Sequence, residues 1–248
     1  MSKSIHILGF HSVESLLRTN PESVIKVFIL NNRKDKRVNE LVNTLTNQKI
    51  AFSTTDKNDL DRIAKGEIHQ GVISEVILPP LLNEESLFKS ISDNSLKPLI
   101  LVLDSIQDPR NLGACLRSAN AAGVNYVVIN KDGSAPINAV VHKTSAGAIN
   151  SLKIFHVTNL SRTIKEMQKR GIWVIGLDGN SKSTIYGVDL TDATAVVMGS
   201  EGKGIRQLIK KTCDQIVTIP MSGNIESLNV SVATGIALFE SKRQRESS

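Results

Sequence analysis

The sequence predicts an α/β protein in which a small N-terminal α/β unit precedes a larger parallel sheet covered by helices. From Leu99 onward, short apolar segments rich in β-branched residues alternate with segments of helical period. Continuous apolar strands of this kind are typical of a parallel sheet with helices on both faces. Residues 78–97 interrupt the alternation with paired prolines and polar side chains, which indicates a linker. We therefore predict domains at 1–77 and 98–248, within the one or two that 248 residues allow.

The first domain reads as three strands and three helices. The predicted strands are Val24–Leu30, Ile50–Ser53 and Gly71–Ile77, and the predicted helices are His11–Arg18, Lys36–Thr46 and Asp56–Ala64. Apolar residues at helical spacing define the core face of the middle helix. His11 and His69 stand in compact polar turns beside glycine. Each is either a ligand contact or a hydrogen-bonded structural histidine.

The linker carries one short predicted helix, at Glu84–Ile91, and the second domain then begins. Its predicted strands are Leu99–Asp104, Tyr126–Asn130, Ile172–Leu177, Ala195–Gly199 and Gln215–Ile219. Its predicted helices are Asn111–Ala122, Ile137–Ala146, Leu160–Arg170 and Ile205–Thr212, followed by a C-terminal helix. Ligands of such sheets bind outside the carboxyl ends of the strands. Three unusual stretches fall at these ends, so we predict that they form one site.

Composition narrows the function classes. A hydrophobic content of 40% excludes a disordered chain, and a net charge of +6 favours a polyanionic partner. Aromatic residues make up only 4%, which argues against base stacking as the binding mode. The sequence has no run of 18 apolar residues and no signal peptide, so we expect a cytoplasmic protein without a membrane span.

The cysteine and histidine spacings give no sign of a metal site. Cys115 and Cys213 lack CxxC spacing, which fits a reducing compartment and argues against zinc or a disulfide framework. Cys115 is either a nucleophile or a small buried residue. No His/Cys/Asp cluster has ligand spacing, and we expect His142 and His156 to be structural.

The first unusual stretch follows the strand Leu99–Asp104. Asp108 and Pro109 form a good helix start, with Asp as the cap and Pro in the first position. Asn111 can fix a hydroxyl group, and arginines near a helix start can hold phosphate. Arg117 is such a candidate, or else a surface ion-pair partner.

The second stretch, Gly199-Ser-Glu-Gly-Lys-Gly204, is a glycine-rich turn between strand and helix. It is not a Walker A motif, because Lys203 is followed by Gly204 rather than Ser or Thr, and it is not GxGxxG. Its glycines allow a ligand to approach the backbone closely. Glu201 is the one carboxylate inside this turn.

The third stretch runs from the end of the strand at Ile219, through a polar turn, into the C-terminal helix. Apolar residues recur there at helical period: Leu228, Val232, Gly235, Ile236 and Phe239. Polar residues crowd the mouth of the helix: Asn224, Glu226, Ser227 and Asn229. They indicate either ordinary N-capping by Ser227 or a place for an electronegative ligand or RNA phosphate.

Together, DPRNLG…R, GSEGKG and IPMSG…ESLNVSVA resemble the three signature motifs of the SpoU family of RNA 2′-O-ribose methyltransferases, in the SPOUT class. The similarity covers residues 99–240, and residues 1–77 resemble the L30e-like RNA-binding domain that many members carry. The resemblance implies a deep C-terminal trefoil knot that binds S-adenosylmethionine. It also implies a homodimer whose active site takes residues from both subunits.

The motif positions imply roles for individual residues. The reacting ribose would meet Asn111, Arg117, Glu201, Ser227 and Asn229. The cofactor pocket would be lined by Gly199, Ile219, Met221 and Leu228. Because a guanidinium has a pKa above about 12 and stays protonated, we expect Arg117 to act as a fixed positive charge, with phosphate or solvent taking the proton.

The layout is similar to family members that methylate a guanosine in the peptidyl-transferase loop of 23S ribosomal RNA. A tRNA guanosine 2′-O-methyltransferase and an antibiotic-resistance rRNA methyltransferase are the nearest alternatives. A non-catalytic RNA-binding protein of ribosome assembly is the alternative from another class. The N-terminal unit favours rRNA, since the tRNA relatives tend to lack it.

Overall fold

A computed structural model describes residues 4–33, 35–77, 82–93, 97–223 and 227–247. The chain divides into two compact units, one made of Met1–Pro80 with Ile137–Ser151 and the other of Leu81–Pro136 with Leu152–Ser248. Residues 137–151 thus group with the N-terminal unit, although they follow the fifth and sixth strands in sequence. The functional boundaries at 77 and 98 stay a prediction.

The elements follow each other in the order expected for two α/β units. The strands are β1 (Ser4–Leu8), β2 (Val24–Leu30), β3 (Phe52–Thr55), β4 (Val72–Ile77), β5 (Leu99–Asp104), β6 (Tyr126–Asn130), β7 (Lys153–Val157), β8 (Trp173–Leu177), β9 (Thr194–Gly199) and β10 (Gln215–Val217). The helices are α1 (Phe10–Thr19), α2 (Lys36–Asn47), α3 (Lys57–Ala64), α4 (Glu84–Ser92), α5 (Pro109–Ala122), α6 (Ala139–Thr144), α7 (Leu160–Gln168), α8 (Gln207–Thr212) and α9 (Val230–Glu246).

The N-terminal unit is built on a mixed sheet of order β1-β4-β2-β3. Only the β2–β3 pair is parallel; β4 runs antiparallel to both of its neighbours. Helices α1 and α2 pack on one face through buried Phe10, Val13 and Leu45. His69 is buried and fully bonded: its Nδ1 accepts the N–H of Gly71 at 3.0 Å, and its Nε2 lies 3.0 Å from Asp61. This bonding favours a structural role for His69.

The second unit contains a six-stranded sheet of order β10-β8-β9-β5-β6-β7, in which every pair is parallel. The central strands β5 and β9 are buried along their whole length. They pair in register from Leu99–Thr194 to Asp104–Gly199, so both strands end at the same level. The parallel α/β architecture predicted for this part of the chain is confirmed.

Two strands, β1 and β7, were not predicted from the sequence. Both lie at the edges of their sheets: β1 pairs with β4, and β7 pairs with β6 and on its other side makes an isolated bridge from Phe155 to Leu82. An edge strand needs less apolar surface than a central one, and β7 accordingly begins with an exposed lysine and includes a half-buried histidine. The predicted strand at 50–53 begins two residues later than expected, and the predicted helix at 137–146 is shorter at both ends.

The C-terminal helix differs from prediction in its N-cap and in the direction of its apolar stripe. Ser227 is not the N-cap: α9 is capped by Asn229, whose side chain accepts the N–H of Ser231. A residue two positions before the cap cannot bond the first helical N–H groups in this way. The apolar stripe does not face the core of this unit. Its members Leu228, Val232 and Phe239 are 36%, 50% and 47% exposed.

Candidate active site

The carboxyl ends of the two central strands carry a chain of polar side chains drawn from all three sequence stretches. Asn111 Nδ2 donates to Glu201 Oε2 at 2.8 Å, and Asn229 Nδ2 donates to Asn111 Oδ1 at 3.1 Å. Asn229 Oδ1 in turn accepts the N–H of Ser231 at 2.9 Å and its hydroxyl at 2.6 Å. We call Glu201, Asn111, Asn229 and Ser231 the polar chain. It joins residues up to 118 positions apart in sequence.

Helix α5 places Asn111 in its first turn. Asp108 caps the helix by accepting the N–H of Arg110 at 2.7 Å, and Pro109 occupies the first helical position, as predicted. The helix follows four residues after β5 and buries Leu112 and Cys115 beneath it. The start of α5 is therefore held tightly, and its exposed face carries the amide of Asn111.

The glycine-rich loop reaches the polar chain because its backbone folds back over the end of β9. Ser200 and Gly204 exchange two backbone hydrogen bonds of 3.1 and 2.9 Å, which close the loop. A Cβ atom on Gly199 would lie only 2.0 Å from the carbonyl carbon of Gly204. Only glycine fits at that crossing, and the crossing presents Glu201 to Asn111.

Helix α9 brings the third stretch to the site by packing on α5. Thr234 is fully buried, and its hydroxyl lies 3.4 Å from the sulfur of Cys115. At Gly235, an added Cβ would approach the hydroxyl of Ser118 at 3.7 Å, so the two helices run close together there. The small residues on this face permit the contact that sets Asn229 against Asn111.

A cleft of about 570 Å³ opens beside the polar chain. Six of the residues predicted for the site line it: Gly199, Glu201, Ile219, Met221, Ser227 and Leu228. A volume of this size is in the range of small-molecule sites. Apolar side chains and bare glycine backbone make up much of its wall, an arrangement that suits a nucleoside bearing an aliphatic chain. The predicted residues Asn224 and Glu226 lie outside the described residues.

Arg117 is the predicted site residue that the structure does not bring to this cluster. It is exposed on α5, and no hydrogen bond or ion pair reaches it within the described ranges. Six helical positions separate it from Asn111, which is about 9 Å of rise and about 120° of rotation. The two side chains of one chain therefore point in different directions.

Sequence reasoning missed an ion pair on the cleft wall. Asp178, just after β8, lines the cleft, and Lys210 of α8 donates to it at 2.9 Å. Partial burial raises the pKa of Asp178, but the hydrogen bonds from Lys210 and from the N–H of Asn180, with the lysine charge, outweigh it and hold the pKa below its usual value. The carboxylate is therefore charged at neutral pH. It faces the cleft, where it can accept hydrogen bonds from the hydroxyl groups of a bound ligand.

A second pair was also missed, at the end of β5. Asp104 is completely buried, and its carboxylate accepts the backbone N–H of Arg206 at 2.9 Å and the Nε–H of the same residue at 2.7 Å. An aspartate that closes an otherwise apolar strand was the signal for it in the sequence. Such a charge is tolerated in the interior only when it is paired.

The thiols and acidic groups offer no second chemistry here. Burial raises the pKa of the Cys115 thiol to about 11 and that of Cys213 to about 12. A thiol that stays protonated is a poor nucleophile, which favours the reading of Cys115 as a buried structural residue. Among the described residues, no group of three or more His, Cys, Asp and Glu side chains could hold a metal ion. A separate search of the described helices finds none that is long and apolar enough to cross a membrane.

Comparisons with known protein families match both parts of the chain. Residues 98–239 match the SpoU rRNA Methylase family, and residues 6–80 match the family described as RNA 2′-O ribose methyltransferase substrate binding. Curated relatives match almost end to end. A protein of Haemophilus ducreyi named 23S rRNA (guanosine-2′-O-)-methyltransferase RlmB is 46% identical, with 98% of each chain covered. The Escherichia coli protein of the same name is 44% identical over 96% of this chain and 98% of its own.

Solved structures agree on the fold. The SpoU methyltransferase AviRb from Streptomyces viridochromogenes, in complex with AdoMet, superimposes with a TM-score of 0.81 at 21% identity. That match covers 99% of this chain and 92% of the other. The three motifs, the parallel sheet that brings them to one edge and the match over more than half of the chain lead to one conclusion: the protein belongs to the SpoU rRNA methylase family.

Proposed function

We propose that the protein transfers a methyl group from S-adenosylmethionine to the ribose 2′-hydroxyl of a guanosine in 23S ribosomal RNA. The near full-length similarity to relatives named for this reaction is the observation that carries the proposal. The match of residues 6–80 to a substrate-binding family supports RNA as the substrate. A ribosomal RNA substrate implies the cytoplasm as the place of action.

The residues that line the cleft suit the methyl donor. Gly199, Gly202 and Gly204 leave the backbone bare along one wall, so a ligand can approach it closely. Ile219, Met221 and Leu228 offer apolar contact on another part of the lining. When bound, S-adenosylmethionine would supply a methyl group that an oxygen nucleophile can attack, with the neutral thioether S-adenosylhomocysteine as the leaving group.

The polar chain would hold the ribose. Both ends of the Asn111 amide are engaged, so its plane is fixed and it in turn fixes Glu201. Within the described part of the chain, Oε1 of Glu201 accepts no hydrogen bond, so it is available for a ribose hydroxyl. Aligning the hydroxyl oxygen for in-line attack is the larger part of the catalytic task, since orientation alone can lower a barrier by several kcal/mol, at most roughly 11.

Arg117 would complete the site from a second copy of the chain. Arg117 lies six positions after Asn111 on α5, so it does not reach the polar chain of the same subunit. Its guanidinium has no partner among the described residues. The exposed apolar stripe at Leu228, Val232 and Phe239 offers a surface for the second copy. In such a homodimer, Arg117 of the partner subunit would stabilise the developing alkoxide and hold the adjoining phosphate, while phosphate or solvent accepts the proton.

The proposal is tested by measuring methyl transfer to defined RNAs with the purified protein. Radiolabelled S-adenosylmethionine is incubated with 23S rRNA, 16S rRNA and total tRNA, and the modified nucleotide is mapped by 2′-O-methyl-sensitive alkaline cleavage. One 2′-O-methylguanosine in 23S rRNA is expected. Label in tRNA alone would keep the reaction and overturn the substrate. Cofactor binding without transfer to any RNA, including ribosomal precursors, would instead favour a non-catalytic RNA-binding role.

A further inference from the structure

We propose that Asp104 is a positioning residue, which holds the glycine-rich loop in the shape that presents Glu201 and lines the cofactor cleft. The inference rests on the proposed function, since it assigns a task to a residue beside that same site. Asp104 itself does not line the cleft, and it acts through the loop.

Both stems of the loop are attached to this one residue. On the incoming side, Gly199 pairs with Asp104 in the parallel register of β9 and β5. On the outgoing side, the backbone N–H of Arg206 donates to Asp104 Oδ2 at 2.9 Å. The Nε–H of Arg206 adds a bond of 2.7 Å to Oδ1, which also receives the hydroxyl of Ser105 at 3.2 Å. The carboxylate therefore holds the outgoing end of residues 199–206 beside the strand end at which the backbone of Asp104 faces Gly199.

The loop has few other fixed points. Ser200 and Gly204 bond each other, which shapes the turn but does not tie it to the sheet. Ile205 is buried in the core of the second unit, and residues 201–203 are exposed. Glu201 reaches Asn111 from the tip of this turn, so a small displacement at the stem changes the distance at the tip. A misplacement of about 1 Å can cost roughly a hundredfold in rate.

The burial of Asp104 argues for a dedicated role. Its side chain is fully inaccessible, whereas the side chain of Arg206 is 54% exposed. Replacing a buried ion pair by apolar residues is often neutral or stabilising, so stability alone does not require a charge here. What the pair contributes is the position of Arg206 relative to the end of β5, because a carboxylate accepts several directed hydrogen bonds at once.

Three variants separate geometry from charge. Arg206→Gln places an amide nitrogen where Nε stands in arginine, so it can still donate to Asp104 although it carries no charge. Arg206→Leu removes the side-chain donor and leaves the backbone N–H, and Asp104→Asn directs an N–H₂ group towards one of the two donors of Arg206. Arg162→Leu serves as the control, because Arg162 pairs with Glu84 at 2.6 Å in the same unit, at a position that does not line the cleft.

The experiment measures the dissociation constant for S-adenosylmethionine by calorimetry, kcat and KM for RNA, and the amide hydrogen exchange of residues 200–206. For Asp104→Asn and Arg206→Leu we expect at least tenfold weaker cofactor binding, at least tenfold lower kcat and faster exchange of the loop, with the KM for RNA within twofold. For Arg206→Gln and Arg162→Leu we expect values within about threefold of the unmodified protein.

Two results would overturn the inference. In one, Asp104→Asn and Arg206→Leu lower only the melting temperature and bind the cofactor normally, which would mean a purely structural role. In the other, Arg206→Gln raises the KM for RNA as much as Arg206→Leu does, which would mean that Arg206 acts through its charge on the RNA. Failure of the unmodified protein to bind S-adenosylmethionine would instead refute the proposed function.

Discussion

At the scale of single residues, the site depends on side chains that each have two tasks. Asn229 caps α9 through the N–H of Ser231 and also donates to Asn111. Asn111 accepts that bond and donates its own N–H to Glu201, so it orients the carboxylate. Because these groups share partners, we expect the effects of substitutions along the polar chain to be non-additive.

The double task of Asn229 can be divided by substitution. Serine is a good N-cap but is too short to reach Asn111, whereas alanine provides neither contact. We expect Asn229→Ser to keep the free energy of unfolding within about 0.5 kcal/mol, and Asn229→Ala to lose about 1 kcal/mol. Both should lower kcat at least tenfold. Urea unfolding together with single-turnover methylation provides the check, and a fully active Asn229→Ser would show that the link to Asn111 is dispensable.

Arg117 tests whether charge or shape matters at the reacting oxygen. Lysine keeps the positive charge but loses the planar fork that binds phosphate with two parallel bonds. We expect Arg117→Lys to lower kcat at least tenfold and Arg117→Ala roughly a hundredfold or more, as for the loss of a donor to a developing oxyanion. Cofactor affinity and melting temperature should stay unchanged, because the side chain is exposed and makes no described contact. Near-normal turnover of Arg117→Lys would refute this assignment.

At the scale of elements, α6 contains a buried titratable group, the imidazole of His142. His142 is 3% exposed, and its Nε2 atom has no hydrogen-bond partner among the residues that the structure describes. Burial lowers the pKa of His142 to about 4. The folded state therefore resists protonation of this ring, whereas the unfolded chain takes up a proton near its ordinary pKa of about 6.5.

The consequence is a loss of stability in acid that can be assigned to one residue. The contribution of His142 is complete above about pH 6.5 and declines as the pH falls towards 4, where it has cost roughly 3 kcal/mol. We expect His142→Gln to flatten the dependence of the free energy of unfolding on pH between 7 and 4.5, measured by urea denaturation. An unchanged slope in His142→Gln would contradict the assignment.

The elements also show how far sequence reasoning reaches. Central strands such as β5 and β9 were predicted because burial on both faces demands a continuous apolar run. The edge strands β1 and β7 were missed because they need less apolar surface. The N-cap of α9 was misplaced because Ser227 and Asn229 are both good capping residues, and only the packing of α9 on α5 decides between them. Asn111, Glu201 and Asn229 were predicted as candidate site residues, but the part played by Ser231 and the bonds within the polar chain were not.

Other parts of the site were invisible in sequence because they depend on distant pairings. The pair of Asp104 with Arg206 spans 102 positions, so the aspartate at the end of an apolar strand marks one member of the pair but not its partner. Asp178 likewise could not be recognised as a cleft residue from the sequence, because its partner Lys210 is distant along the chain. The resemblance of the motifs supplied the grouping of Asn111, Glu201 and Asn229, and the geometry supplied their bonds. The trefoil knot and the roles assigned to single residues stay predictions.

At the scale of the whole molecule, the exposed apolar stripe on α9 predicts self-association. Val232 and Phe239 lie seven positions apart, hence on one side of the helix, and about half of each is exposed. We expect the unmodified protein to be a dimer at micromolar concentration and Val232→Asp to be a monomer, observed by light scattering after gel filtration. Methylation should fall with dimer content if Arg117 of the partner subunit completes the site. The matched change Trp173→Gln, at an equally exposed aromatic residue on β8, should leave the mass unchanged. A monomeric unmodified protein with full activity would refute the shared site.

The hydrogen bond between Asn111 and Asn229 has a consequence for how the protein matures. Its two ends are 118 residues apart, and one of them, Asn229, is the N-cap of α9. A nascent chain that ends before residue 228 has neither the complete polar chain nor the Leu228 side of the cleft, however well β5 and β6 have formed. Long-range closures of this kind make folding slow, because the entropy of a large loop is lost before its contacts form. Catalytic competence should therefore appear as a late kinetic phase during refolding, after the bulk of the helical signal has returned.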